Sequence, residues 1–117
     1  MTLADLMSRS YDREHYNCAH FATDVWYLET REDIGPLILP MGQGPRPSRE
    51  LARTFTQRDR KYITLGLVVL SRKKGDSHVG VYKKKHILHL PEGGIPQRVP
   101  PSVAMIGYNL CRYYCRI

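Results

Sequence analysis

The sequence predicts an α+β fold, with N-terminal helices packed on one face of a small antiparallel sheet. Three observations carry this. Apolar residues recur at three- and four-residue steps before residue 60, then become β-branched, aromatic and partly alternating. Helix-capping residues stand ahead of the early segments. Turn sequences rich in Gly and Asp separate the later ones. With 117 residues the chain is expected to form one domain, residues 1–117, burying roughly two-thirds of its unfolded surface around one core.

Taken in order, "TLADLMSRS" reads as a short helix: Thr2 can cap it, Asp5 sits in its first turn, and Leu3, Leu6 and Met7 share a face. The next helix opens at "NCAHFATDVW". Asn17 is its cap, Cys18 falls in its first turn, and Phe21, Ala22, Val25, Trp26 and Leu28 form a broad apolar stripe. Gly35 and Pro36 in "REDIGP" are expected to stop it. "PLILPMGQGPRP" is too rich in Pro and Gly for regular structure and reads as a loop. Ser48 then caps a helix over "RELARTFTQR", with Leu51, Ala52 and Phe55 facing inward. Four strands follow, in "KYITLGLVVLS", "SHVGVYK", "HILHL" and "IGYNLCRYYCRI", as an antiparallel meander with turns at "KKGD" and "PEGG".

Composition narrows the class. With 42% hydrophobic and 25% charged residues the chain is neither disordered nor a fibrous repeat. "YITLGLVVL" falls far short of the roughly 20 apolar residues that span a bilayer. The N-terminus lacks a basic region followed by an apolar stretch, so synthesis in the cytoplasm without a signal peptide is expected. A formal charge of +7 points to an anionic partner: nucleic acid, an acidic membrane surface or an anionic cell-wall polymer. Cys18, Cys111 and Cys115 match no disulfide framework, and the last two are expected to pack a strand.

From position alone Cys18 can be core filler, a metal ligand, half of a disulfide or a nucleophile. A helix N-terminus favours the thiolate, because unpaired N–H groups and the helix dipole face it. A cysteine nucleophile also needs a base and a residue that orients the base. His78 begins one strand and His89 ends its neighbour. With "VYKKKHI" as the hairpin connection the two come level, and their rings are expected to meet on one face. His86 should lie on the other face, and His15 and His20 stand too close to Cys18 in sequence to serve easily as its base. No CxxC or HxxxH spacing supports a zinc site, and no metal or cofactor is expected.

"NCAHFATDVW" followed by "SHVGVYKKKHILHL" resembles the NlpC/P60 cysteine peptidases and amidases, papain-like enzymes that cut cell-wall peptides. Their motifs are a D/N-C-x-x-F helix start and an "HVGIY" strand, followed by "hhHA" on its partner. The resemblance is to the short versions of tailed phages and prophages. It places Cys18 on the family's nucleophile, His78 on its base and His89 on its third polar residue. Tyr11 and Tyr16 are loose counterparts of an upstream tyrosine that donates to the oxyanion. Ala19-His20 replaces a small Ser-Gly pair, which puts His20 at the cleft, and Leu67 stands where relatives have Asp. "NCAHF" is also similar to a lecithin:retinol acyltransferase motif, but the order here, Cys before His, is that of the unpermuted family. The resemblance implies a peptidoglycan stem-peptide hydrolase, carried on a phage tail beside other tail proteins. Two rivals remain: a structural tail component with the same fold, and a nucleic-acid-binding domain driven by charge, for which no reading motif is present.

Overall fold

A computed structural model of the chain describes residues 1–40, 49–73 and 77–117. The expected cap Ser48, most of the Pro/Gly-rich loop and most of "KKGD" lie outside the described residues. The architecture is α+β: a six-stranded, wholly antiparallel sheet with a few helices.

Helix α1, Leu3–Met7, starts in a capping box: the Asp5 N–H donates to Thr2 Oγ1 at 3.2 Å and the Thr2 N–H to Asp5 Oδ2 at 2.9 Å. Helix α2, Cys18–Thr30, is capped by Asn17, whose Oδ1 accepts from the Ala19 N–H at 3.0 Å. Its buried stripe is Phe21, Ala22, Val25 and Trp26, joined by Ala19, while Leu28 is only partly buried. The stop differs from expectation. Arg31 ends α2 in the left-handed region, at φ 64°, because Trp26 Nε1–H reaches Glu32 at 3.2 Å and the Glu32 N–H turns back to Thr30 Oγ1 at 3.1 Å. Gly35 and Pro36 instead open a short helix, α3, Gly35–Ile38, in what was expected to be loop.

Helix α4 covers only Arg49–Thr54, and Ala52 is exposed. Phe55, expected in its apolar face, begins strand β1, Phe55–Gln57, and packs edge-on against Trp26 with ring centroids 5.3 Å apart. The reason is tertiary: Phe55 and Thr56 pair with Arg116 and Cys115 of the last strand, which gives their backbone groups partners that a helix end would leave open.

Strands β2 (Leu65–Ser71), β3 (Ser77–Lys83), β4 (His86–His89) and β5 (Gln97–Val99) form the meander. After a short helix, α5, Pro101–Ala104, strand β6 (Leu110–Arg116) returns to the far side of β2, giving the order β1-β6-β2-β3-β4-β5. Neither β5 nor α5 was expected from the sequence. Nor was the sheet's second cover. Leu67 and Val69 face the helices, whereas Val68, Leu70, Tyr82 and Ile87 pack beneath Ala104 and beside Tyr108. Burial on both faces accounts for the unbroken run "LVVL" in β2. Cys111 and Cys115 pack against this second cluster, unbridged. Among the described residues no helix is long and apolar enough to cross a membrane.

Candidate active site

Cys18 sits at the first position of α2, partly buried where that helix meets β3. Backbone N–H groups of Val79, Ala19 and Cys18 itself point at the sulfur and favour its thiolate. The first of these belongs to the residue after His78. The thiol therefore lies against the start of β3, next to the peptide that His78 begins.

His78 and His89 are brought together as the hairpin reading expected: His78 Nε2 and His89 Nδ1 are 2.8 Å apart, with the rings at 76°. The hairpin itself is tighter than expected. Its turn is Lys84–Lys85 alone, both left-handed at φ 47° and 70°, closed by the pair Lys83↔His86. That register, with Val81↔Leu88, carries His89 over Gly80, so the two imidazoles are diagonal rather than directly opposite. Gly80 makes room for this. A Cβ there would lie 2.9 Å from the Leu88 carbonyl oxygen and 3.1 Å from His89 Cβ. Gly80→Ala is expected to destabilise the protein by about 1–3 kcal/mol and to push the imidazoles apart. Thermal unfolding, with histidine NMR shifts as the local readout, checks this.

Burial dominates the electrostatics. His78 is 7% exposed and His89 5%. Burial, with His89 and then Arg72 adding to it, pulls the His78 imidazolium down to about 3. Burial also lowers His89, opposed by a hydrogen bond with the Gln97 side chain. The thiol behaves against the helix-terminus argument: burial pushes Cys18 above its ordinary range, outweighing the three N–H groups. At neutral pH both partners are therefore uncharged. Among the described residues no hydrogen bond joins Cys18 to His78.

His78 Nε2 is taken by His89, so Nδ1 is the ring nitrogen left for a thiol proton. Tyr108 stacks on the His78 ring at 5.7 Å and 16°, and the Arg72 guanidinium lies 4.7 Å above Tyr108. Arg72 Nε–H also donates to the Gly107 carbonyl at 3.2 Å, so the segment after α5 is fastened over the histidine. Beyond His89 opens a cavity of about 360 Å³ lined by Arg72, His89, Glu92, Gln97, Ile106 and Tyr108. Reading the sequence missed Arg72, Glu92, Gln97 and Tyr108. The usable signal was the "PEGG" turn, which folds the chain back and sets Gln97 opposite His89.

The other expected residues separate. The Tyr16 hydroxyl donates to Asp24 Oδ2 at 2.7 Å, which commits its proton and corrects its reading as an oxyanion donor. His20 is tied to the start of α2. Its Nδ1 accepts from the Asn17 N–H at 3.1 Å, doing in the capping box what Glu or Gln usually does, and its ring stacks on Tyr16. Both line a second cavity, on the flank of α2, with Asp24, Tyr27, Asp33 and Leu39. Tyr11 stays beside the site: burial raises its phenol, and the charges of Glu92 and then Cys18 add to this. His15 is exposed and paired with Asp12, and His86 contacts the Lys84 carbonyl away from the imidazole pair. Leu67 is fully buried against the helices, where a carboxylate would be costly. Among the described residues no three His, Cys, Asp or Glu side chains converge as metal ligands.

No protein-family model, curated protein or solved structure matches the chain.

Proposed function

We propose that the chain is a cysteine peptidase or amidase of the NlpC/P60, papain-like type, acting on stem peptides of bacterial peptidoglycan as part of a phage tail. The observation that carries the reading is the order along β3 and β4. A thiol at a helix N-terminus lies against the His78–Val79 peptide, and the imidazole of His78 is backed by a second buried imidazole at 2.8 Å. In this reading Cys18 Sγ attacks the amide carbonyl carbon while its proton passes to His78 Nδ1. The tetrahedral oxyanion collapses to a thioester and expels the amine, which takes the proton from His78. Water, losing a proton to the same imidazole, then cleaves the thioester to a carboxylate and restores the thiol. Because thiol and imidazole both start neutral, charge appears only as the bond forms. The backbone N–H groups at Cys18 are the donors for that charge.

In this reading Tyr11, whose phenol feels the charge of Cys18, is the tyrosine that assists. Tyr11→Phe is expected to reduce kcat by about a hundredfold at little change in KM, measured on purified stem-peptide fragments. The basic surface, at a formal charge of +7, suits retention on an anionic wall. A second reading is a structural tail component with the same fold. The raised thiol and its missing hydrogen bond to His78 favour it. The deciding experiment is mass spectrometry of peptidoglycan fragments after incubation: new amine and carboxylate ends support the hydrolase, and intact fragments with retained binding support the structural role.

A further inference from the structure

Two neutral imidazoles sharing one hydrogen bond have two arrangements. If His78 Nε2–H donates to His89 Nδ1, then His78 Nδ1 is a bare lone pair and the proton of His89 sits on Nε2. If His89 Nδ1–H donates instead, His78 carries its proton on Nδ1 and has nothing with which to accept one from a thiol. What faces His89 Nε2 decides between them. That nitrogen is buried and, with the side chains as they stand, closes no hydrogen bond of good geometry among the described residues. The side chain nearest in the fold is Gln97, the direct cross-strand partner of His89 in the β4–β5 pairing, and both line the cavity of about 360 Å³. Gln97 opposes the effect of burial on the His89 ring, although Nε2 of His89 has no formed hydrogen bond. An ionised carboxylate accepts only, so Glu92, in the lining of the same cavity, is a partner for the amide NH₂ of Gln97 and not for its carbonyl, which is left for His89.

We infer that Gln97 is a positioning residue: its side-chain carbonyl accepts from His89 Nε2–H and holds the pair in the arrangement that leaves His78 Nδ1 bare. This rests on the proposed hydrolase reading only for what the bare nitrogen is used for. Gln97 lies at the surface on the edge strand β5, so replacing it should spare the fold.

The test is ¹⁵N-resolved NMR of the imidazoles at pH 7 in the whole chain, alongside kinetics on stem-peptide fragments. Wild type should show both histidines protonated at Nε2 and bare at Nδ1. Gln97→Leu should move His89 toward Nδ1–H and lower kcat about tenfold with KM unchanged. Gln97→Glu, which keeps an acceptor, should retain the protonated Nε2. A wild-type His89 carrying its proton on Nδ1, or a Gln97→Leu protein with unchanged tautomers, overturns the inference. The NMR result stands whether or not the protein cleaves anything, so loss of the hydrolase reading and loss of this one are separate outcomes.

Discussion

His78→Gln is expected to lower kcat on a stem-peptide substrate by about three orders of magnitude at pH 7, with KM little changed. General bases contribute typically 10²–10⁴-fold, and in the proposed reading this site leans on its base more than most. Burial holds the Cys18 thiol above its ordinary range, so a thiolate is scarce before substrate binds. The helix N-terminus does not supply one, and His78 Nδ1 is the nitrogen left to take the proton as attack occurs. Glutamine keeps a polar group beside His89 but is no base. Its residual activity should rise about tenfold per pH unit until the thiol ionises, whereas wild type should be much flatter. Adding Cys18→Ala to His78→Gln should cost little beyond Cys18→Ala alone, since the two groups act in one step. Steady-state kinetics over pH 6–9 on the single and double variants measure all of this.

The second large effect is on stability in acid. The unfolded chain protonates His78 near 6.5, while the folded protein keeps it neutral until about 3. Stability is thus complete above pH 6.5 and falls as pH drops through that window, because the unfolded state binds the extra proton. The slope for one such group is about 1.4 kcal/mol per pH unit, and His89, lowered in the same direction, steepens it. Denaturant unfolding between pH 6.5 and 5.5 stays above the range in which the carboxylates Asp5, Asp12 and Glu32, all held below their ordinary values, begin to contribute. His78→Gln should lose roughly one proton's worth of this slope. Equal slopes in variant and wild type would mean that His78 is solvated in solution.

Residues with local signals were legible in the sequence. Caps at Thr2 and Asn17, the stripe on α2 and the hairpin that joins His78 to His89 all follow from short-range chemistry, and the structure has them. Features decided at long range were not legible. Phe55 reads as the last apolar turn of a helix until β6 returns to pair with it. His20 reads as bulk at a cleft until its ring nitrogen is seen to cap the Asn17 N–H. Tyr16 precedes Cys18 by two residues, yet its hydroxyl is claimed by Asp24, further along α2. The sign of the Cys18 shift turns on how much of α2's start is covered by β3, which no local pattern encodes. Gln97 was invisible for a related reason: β5 is only three residues long, and its importance comes from what it faces.

The central claim is that Cys18 is the nucleophile of this fold. Turnover of purified peptidoglycan stem peptides by wild type, Cys18→Ala and Cys18→Ser, followed side by side by mass spectrometry, tests it most directly. The expected result is cleavage by wild type and a loss of about 10⁴-fold or more in Cys18→Ala, with all three proteins equally folded. Cleavage by Cys18→Ala within a factor of about two of wild type would contradict the claim.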